Sequence, residues 1–252
     1  MRRGTDKKNA VFKEDFMRKL EHVPNHLALI PDGNRRWSKS RGLKLLGGYS
    51  TGIRKFIDFS IWSKEFGIRT LSVWALSTEN IHNRSASELS MFFRLFTKEA
   101  SDPKILSDLV NNKVRVKVVG NTSILPMPLK RALRKVEAKT RKYTDLTINL
   151  LIGYGGRDDI VHAARLAAMH AAKTGSGSIS ERDVERNLRT ASVSDADLII
   201  RTSGEKRLSG FLPWQSTYSE LYFAKKYWPD FSKKDLERAL ADYSRRQRRF
   251  GR

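Results

Sequence analysis

Apolar positions in this chain fall into two kinds of block. Short unbroken runs, Leu27-Ala28-Leu29-Ile30 the first of them, are separated by longer stretches where apolar residues recur every three or four positions. The first kind predicts strands buried on both faces, the second helices with one apolar side. Strands are expected over 26–31, 69–76, 114–119, 146–152, 196–200 and 220–224. Helices are expected over 47–66, 86–110, 128–143, 157–173, 181–188 and 232–246, with a short one within 1–22 carrying Val11, Phe12, Phe16 and Leu20. Asp102-Pro103 interrupts the second of these, because proline brings no amide to the helix ladder and clashes with the turn before it. Strands alternating with helices predict one α/β domain built on a six-stranded, mostly parallel central sheet with helices on both faces. The Gly/Ser loop at 174–180 is too short for a domain linker, so 24–252 is expected to fold as one unit behind a basic segment, 1–23, that is partly flexible or helical.

Composition narrows the chemistry. In 252 residues, 12 Phe, 7 Tyr and 5 Trp are enough for one real core. The absence of cysteine excludes disulfides, thiolate zinc, iron–sulfur clusters and cysteine nucleophiles. No apolar run has the length of a membrane span, and the first residues lack the apolar stretch of a secretory leader, so a cytoplasmic location is expected. A net charge of +22 calls for a polyanion, phosphates or an anionic membrane nearby. Residues 1–22 (seven bases, four acids) and 225–252 (ten bases, four acids, with Arg245-Arg246-Gln247-Arg248-Arg249) read as solvated charge, or as attraction to membrane or RNA. Residues 32–55 differ: seven bases interleave with glycines beside a single acid, Asp32. That pattern suggests a phosphate site.

Four polar segments, 31–36, 77–84, 153–157 and 201–209, each follow an apolar strand. Ligands of open α/β sheets gather beyond the carboxyl ends of the strands, so the four are expected to share a cleft. In the first, Gly33 and Asn34 suit a tight turn, and Arg35, Arg36 and Arg41 could neutralise a diphosphate through their guanidinium forks. Asp32 would repel phosphates unless a hard cation such as Mg²⁺ lay between them; otherwise it caps a helix beside surface arginines. Arg201 and Arg207, with Ser203, Gly204 and Ser209, form either a second anion cradle or a mobile basic loop. Glu220 offers a second cation ligand or an acidic strand edge. There is no P-loop, no GxGxxG, no HExxH and no GxSxG, and His22, His26, His82, His162 and His170 form no ligand cluster. Sparse acid–base machinery favours a reaction driven by the departure of diphosphate.

Taken together, Ala28 to Trp37, Leu76-Ser77-Thr78-Glu79-Asn80, Tyr154 to Ile160, Ile200 to Glu205, and Phe211 to Gln215 with Glu220-Leu221-Tyr222-Phe223 resemble the cis-prenyltransferases, the family of undecaprenyl and dehydrodolichyl diphosphate synthases. The similarity runs from about residue 24 to the C-terminus, and the wording of 204–209 resembles archaeal members more than bacterial ones. The resemblance implies a Mg²⁺-dependent homodimer that adds isopentenyl diphosphate in cis to an allylic prenyl diphosphate primer, giving a polyprenyl diphosphate. Asp32 would hold Mg²⁺, with Glu220 as its second carboxylate. Gly33, Asn34, Arg36 and the following helix start would bind the allylic diphosphate, with Arg35, Trp37, Arg41 and Tyr49 also expected at the substrate, while Arg201, Arg207 and Ser209 clamp the homoallylic one. Ser77, Asn80 and Arg84 match positions at the reaction centre, and Gly251 belongs to an R-x-G ending that reaches into the partner subunit.

The departures cluster on the allylic side. Tyr49 stands where the family usually has histidine, Leu45 where arginine is frequent, and Ile81-His82-Asn83 replaces a shorter aromatic-led segment. Gly210 replaces a usual asparagine. Altered primer preference, a short-chain product or head-to-middle coupling stay open. Phe56, Phe59, Met91, Phe92, Phe93, Leu95 and Phe96 are either tunnel wall for the growing tail or ordinary core. Two rivals remain, a noncatalytic scaffold subunit and a nucleic-acid-binding protein. No specific nucleic acid is expected, whereas peripheral contact of the basic tail with anionic membrane is.

Overall fold

The computed structural model describes residues 16–246 apart from Lys19. The chain runs β1 (His26–Ile30), α1 (Asn34–Ser40), α2 (Leu45–Glu65), β2 (Thr70–Ser77), α3 (Thr78–Asn83), α4 (Ala86–Ala100), α5 (Pro103–Asn111) and β3 (Val114–Val119). It continues through α6 (Met127–Thr140), β4 (Leu146–Tyr154), α7 (Gly156–Thr174), α8 (Glu181–Glu185), β5 (Leu198–Arg201), β6 (Glu220–Phe223) and α9 (Lys233–Ser244). The six strands form one sheet in the order β3-β4-β2-β1-β5-β6, and every pairing is parallel.

All five residues of β1 are buried. Leu27 and Leu29 face one side, in a cluster with Phe59, Phe66 and Trp228, while Ala28 and Ile30 face the other with Tyr154 and Phe211. A strand covered on both faces needs apolar residues at every position, which is why this run does not alternate. The chain leaves β1 for β2 on one side and later returns to β5 on the other. The crevice at the carboxyl ends of β1 and β5 is thus a topological switch point.

The interruption expected at Asp102-Pro103 divides the helix in two. α4 ends at Ala100, and Asp102 caps α5 by accepting the Lys104 amide at 2.8 Å, with Pro103 at the first helical position. Near the start of the described chain, Phe16, Met17 and Leu20 pack on the core, Phe16 edge-on to Phe66 at 5.5 Å. Val11 and Phe12 lie outside the described residues.

A buried polar row crosses the other end of the sheet. His26 Nδ1 lies 2.9 Å from the Ser194 carbonyl, its Nε2 lies 2.8 Å from Ser72 Oγ, and Asn149 Nδ2 donates to the same Oγ at 3.1 Å. The network assigns the proton to Nδ1, so the Ser72 hydroxyl donates to Nε2. Burial pulls the imidazole below its ordinary 6.5. The unfolded chain therefore takes up this proton first as pH falls, and the contribution of His26 is whole above pH 6.5 and declines below it. Denaturant midpoints measured across that range should fall more steeply just below pH 6.5 in the wild type than in His26→Gln. Parallel profiles would contradict the assignment.

Candidate active site

The site begins where β1 stops. Gly33, at φ 102°, turns the chain into α1, and a Cβ there would meet Tyr227 Cδ1 at 2.7 Å, so both backbone and space demand glycine. The turn aims Asp32 across the switch point. Its Oδ1 accepts the Gly33 amide at 2.6 Å, its Oδ2 accepts Arg201 from β5 at 2.9 Å, and Arg36 lies 3.3 Å from Oδ1. The Asp32 carbonyl accepts both the Thr202 hydroxyl (2.7 Å) and the Trp228 amide (3.0 Å). Asn34 donates to the Pro31 carbonyl at 3.0 Å, while its Oδ1 is buried with no partner. A Cβ on Gly52 would sit 2.3 Å from that oxygen, so the glycine lets α2 close over Asn34.

Arg201 is 5% exposed and is the hub of the second cradle. Besides Asp32 it donates to the Arg207 carbonyl at 2.6 Å and to Ser209 Oγ at 2.8 Å, leaving Nε unpaired. The loop that follows is held in an unusual shape. Ser203, Ser209 and Leu212 all have positive φ, at 80°, 55° and 45°. Such backbone persists only where the surroundings fix it. Here the Ser203 amide donates to the Lys226 carbonyl and the Gly204 amide to that of Ala224. Glu205 then ties the two cradles together, accepting from Arg36 at 2.7 Å and from Arg207. Hydrogen bonds from Arg36 and then Arg207 hold its carboxyl below the usual range.

The third wall comes from α2, α3 and α4. Ser77 caps α3 by accepting the Asn80 amide at 3.0 Å, which fixes both residues at the cavity edge. The Tyr49 hydroxyl donates to Glu88 at 3.1 Å, and Arg84 lies 5.5 Å above the Tyr49 ring and 3.4 Å from Glu88. Burial pushes the Tyr49 phenol up to about 12, so it stays a donor at neutral pH. Arg84 Nε and one terminal nitrogen are buried without hydrogen-bond partners, and Arg35 stands 3.9 Å from Glu88.

Asp32, Asn34, Arg35, Arg36, Tyr49, Ser77, Asn80, Arg84, Arg201, Arg207 and Ser209 all line one cavity of about 710 Å³. Its mouth carries Asp32, Arg36, Arg201, Arg207 and Ser209, and its interior is apolar, with Phe56, Phe92, Phe96, Ala100, Leu133 and Val136 among its walls. Phe56, Phe92 and Phe96 are therefore wall, whereas Phe59, expected as a candidate, is fully buried in core against Trp228 and Phe231. One acid sits among the apolar walls: Glu99, in the last turn of α4, 5% exposed.

Three candidates do not join this cavity. Trp37 and Arg41 turn away: the Trp37 indole and the Arg41 guanidinium both donate to Asp230 Oδ1, at 2.9 and 3.0 Å, with Arg41 4.8 Å above the Trp37 ring. Four residues apart on one helix, they share a face that points away from Asp32. Glu220 pairs in register with Leu198 at the amino end of β6, at the sheet end opposite Asp32, and accepts Arg246 at 2.6 Å. Within one chain, Glu220 and Asp32 cannot share an ion. Gly251 lies outside the described residues.

Sequence reasoning passed over Trp228 and Asp230. The Trp228 indole donates to the Gly52 carbonyl at 2.8 Å and its amide holds Asp32, while Asp230 anchors α1. The available signal was an aromatic-Pro-Asp turn, Tyr227-Trp228-Pro229-Asp230, directly after an apolar strand.

Comparison with known proteins agrees with this geometry. A family model described as putative undecaprenyl diphosphate synthase matches residues 30–251. A tritrans,polycis-undecaprenyl-diphosphate synthase (GGDP specific) of Sulfolobus acidocaldarius is 45% identical over 232 residues, covering 90% of this chain and 88% of that protein. An isoprenyl transferase of Thermus thermophilus is 38% identical over 250 residues, covering 96% and 95%. Among solved structures, lavandulyl diphosphate synthase from Lavandula x intermedia, in complex with dimethylallyl diphosphate, superposes with a TM-score of 0.82 at 36% identity, covering 91% of this chain and 99% of that one.

Proposed function

The chain belongs to the cis-prenyltransferase family of undecaprenyl diphosphate synthases, and on that premise we propose how its residues divide the reaction. The reaction is condensation of isopentenyl diphosphate with an allylic prenyl diphosphate, releasing diphosphate. The observation that carries the assignment is the Asp32–Arg201 contact across the switch point, at the cationic mouth of an apolar cavity.

Asn34, Gly33, Arg35 and Arg36 bind the primer's diphosphate, with Tyr49 and Arg84 behind it. The Arg84 terminal nitrogen that has no hydrogen-bond partner supports this reading, since a buried donor left unpaired is open to an anionic ligand. Arg201, Arg207 and Ser209 hold isopentenyl diphosphate. Ser77 and Asn80 line the space between, where the allylic carbocation forms and the isopentenyl double bond attacks it. Loss of a proton, taken by the departing diphosphate, restores the alkene. Trp37 and Arg41 act indirectly, by fixing α1 to Asp230.

Mg²⁺ suits this mouth. One carboxylate, Asp32, points into a cationic site, and Mg²⁺ in phosphate chemistry needs only one or two carboxylates, with substrate oxygens and water completing its shell. When bound, it supplies neutralisation of the charge that builds on the leaving diphosphate. Among the described residues, Asp32 is the carboxylate that would hold it.

Purified protein given Mg²⁺, labelled isopentenyl diphosphate and allylic primers of increasing length tests the whole reading. Release of diphosphate with cis-configured products is expected; no product from any primer would overturn it. We take the primer to be geranylgeranyl diphosphate and the product to be of undecaprenyl class, as the name of the Sulfolobus relative suggests. The cavity supports a long tail, and Ala100→Leu, which puts bulk into its wall, should shorten the product distribution. An unchanged distribution would remove Ala100 from the tail's path. A homodimer is proposed from family membership, and sedimentation velocity checks it.

A further inference from the structure

We propose that the exposed face of α6 is the surface by which this protein docks on an anionic lipid bilayer. Between Met127 and Tyr143 the chain carries seven bases and one acid, Glu137. That acid is occupied, accepting the Val118 amide at 2.7 Å. Arg131, Arg134, Lys135, Lys139 and Arg141 are exposed and enter no ion pair among the described residues. The basic C-terminal segment differs: Arg245 and Arg246 pair with Asp242, Arg246 also with Glu220, and Arg238 with Asp235. Among the described residues, α6 thus carries a run of uncompensated bases on one helix, whereas Arg238, Arg245 and Arg246 of the C-terminal segment are paired.

Two further features fit a bilayer better than a simple polyanion. Ile124 and Met127, at the amino end of α6, are 40% and 50% exposed, so the basic face has an apolar edge. Basic residues flanked by exposed apolar ones suit the boundary between headgroups and acyl chains. The buried side of the same helix also contributes Leu133 and Val136 to the large cavity. The cavity for an apolar tail and the lipid surface would then lie on opposite sides of one helix. This last point rests on the proposed function; the charge argument does not.

The test is co-sedimentation of the full chain with phosphatidylglycerol–phosphatidylcholine vesicles and with phosphatidylcholine vesicles, at low and high salt. Wild type should bind only the anionic vesicles and release with salt, as screened charges do. Arg131→Glu/Arg134→Glu/Lys135→Glu should reduce partitioning about tenfold or more. Arg165→Glu/Lys173→Glu/Arg182→Glu, an equal charge change on exposed residues elsewhere, should stay within about twofold. If the α6 reversal lowers the melting temperature, the corresponding glutamine triple should still show the loss, to a smaller extent. Equal losses in the α6 and control variants would overturn the proposal, as would α6 variants that bind normally or binding insensitive to salt. α6-dependent binding of labelled RNA without vesicle binding would assign the face to nucleic acid instead. Because the readout is lipid binding and not turnover, failure here is distinguishable from failure of the enzymatic reading.

Discussion

Asp32→Asn is expected to lose turnover by about a hundredfold or more at saturating Mg²⁺, because it removes the carboxylate that bridges the two cradles where diphosphate charge must be stabilised. Asparagine is the informative replacement. Asp32 Oδ1 accepts the Gly33 amide and Oδ2 the Arg201 guanidinium, so Asp32→Ala would empty both acceptor positions. Asparagine keeps the size and an acceptor for the turn while deleting the charge. The Asp32 side chain is 29% exposed, so solvent screening should keep the loss to stability modest. The measurement is kcat beside the melting temperature, and wild-type kcat in Asp32→Asn would end the assignment.

Arg201→Ala should be nearly as damaging, and its loss should fall on isopentenyl diphosphate, with kcat/KM for that substrate down by about a hundredfold or more. Arg201→Lys should not rescue it, since an ammonium cannot reproduce a fork reaching Asp32, Ser209 and the Arg207 carbonyl together. Arg207→Ala should be milder, because its side chain is 60% exposed and its ion pair is with Glu205 alone. Arg36→Ala should weaken primer use instead. Glu205 joins Arg36 to Arg207, so these two variants are expected to couple in a double-mutant cycle. Equal losses toward both substrates in all three alanine variants, with melting temperatures unchanged, would refute the division.

The chain announces some of this arrangement and conceals the rest for definite reasons. The buried run Leu27–Ile30 ending in Pro31-Asp32-Gly33 marks a strand delivering an acid to a tight turn, and that is what folds. Glu220 shows the limit: motif matching names the residue, but only parallel register reveals that it opens its strand while Asp32 follows the end of its own. Trp37 and Arg41 sit in the richest basic segment, yet helical geometry rotates them onto Asp230, nearly two hundred residues away in sequence. Asp230 and Trp228 reach the site through such distant contacts and leave no local periodicity. Glu99 is hidden for the opposite reason. An acid in an amphipathic helix normally reads as solvent-facing, and here the helix turns it into the cavity.

The left-handed residues of the loop after β5 bear on how the enzyme meets successive substrates. Fixing one backbone residue costs about 1–2 kcal/mol of conformational entropy, and this loop is fixed by bonds from Ser203 and Gly204 to the segment after β6, and from Arg201 to Ser209. Each of those bonds joins two groups of the protein itself. The ordering is met once, when the chain folds, and need not be repaid from binding energy at each addition. An enzyme that admits isopentenyl diphosphate at every turnover gains from such rigidity, because a clamp that reordered on every cycle would tax each bond it makes.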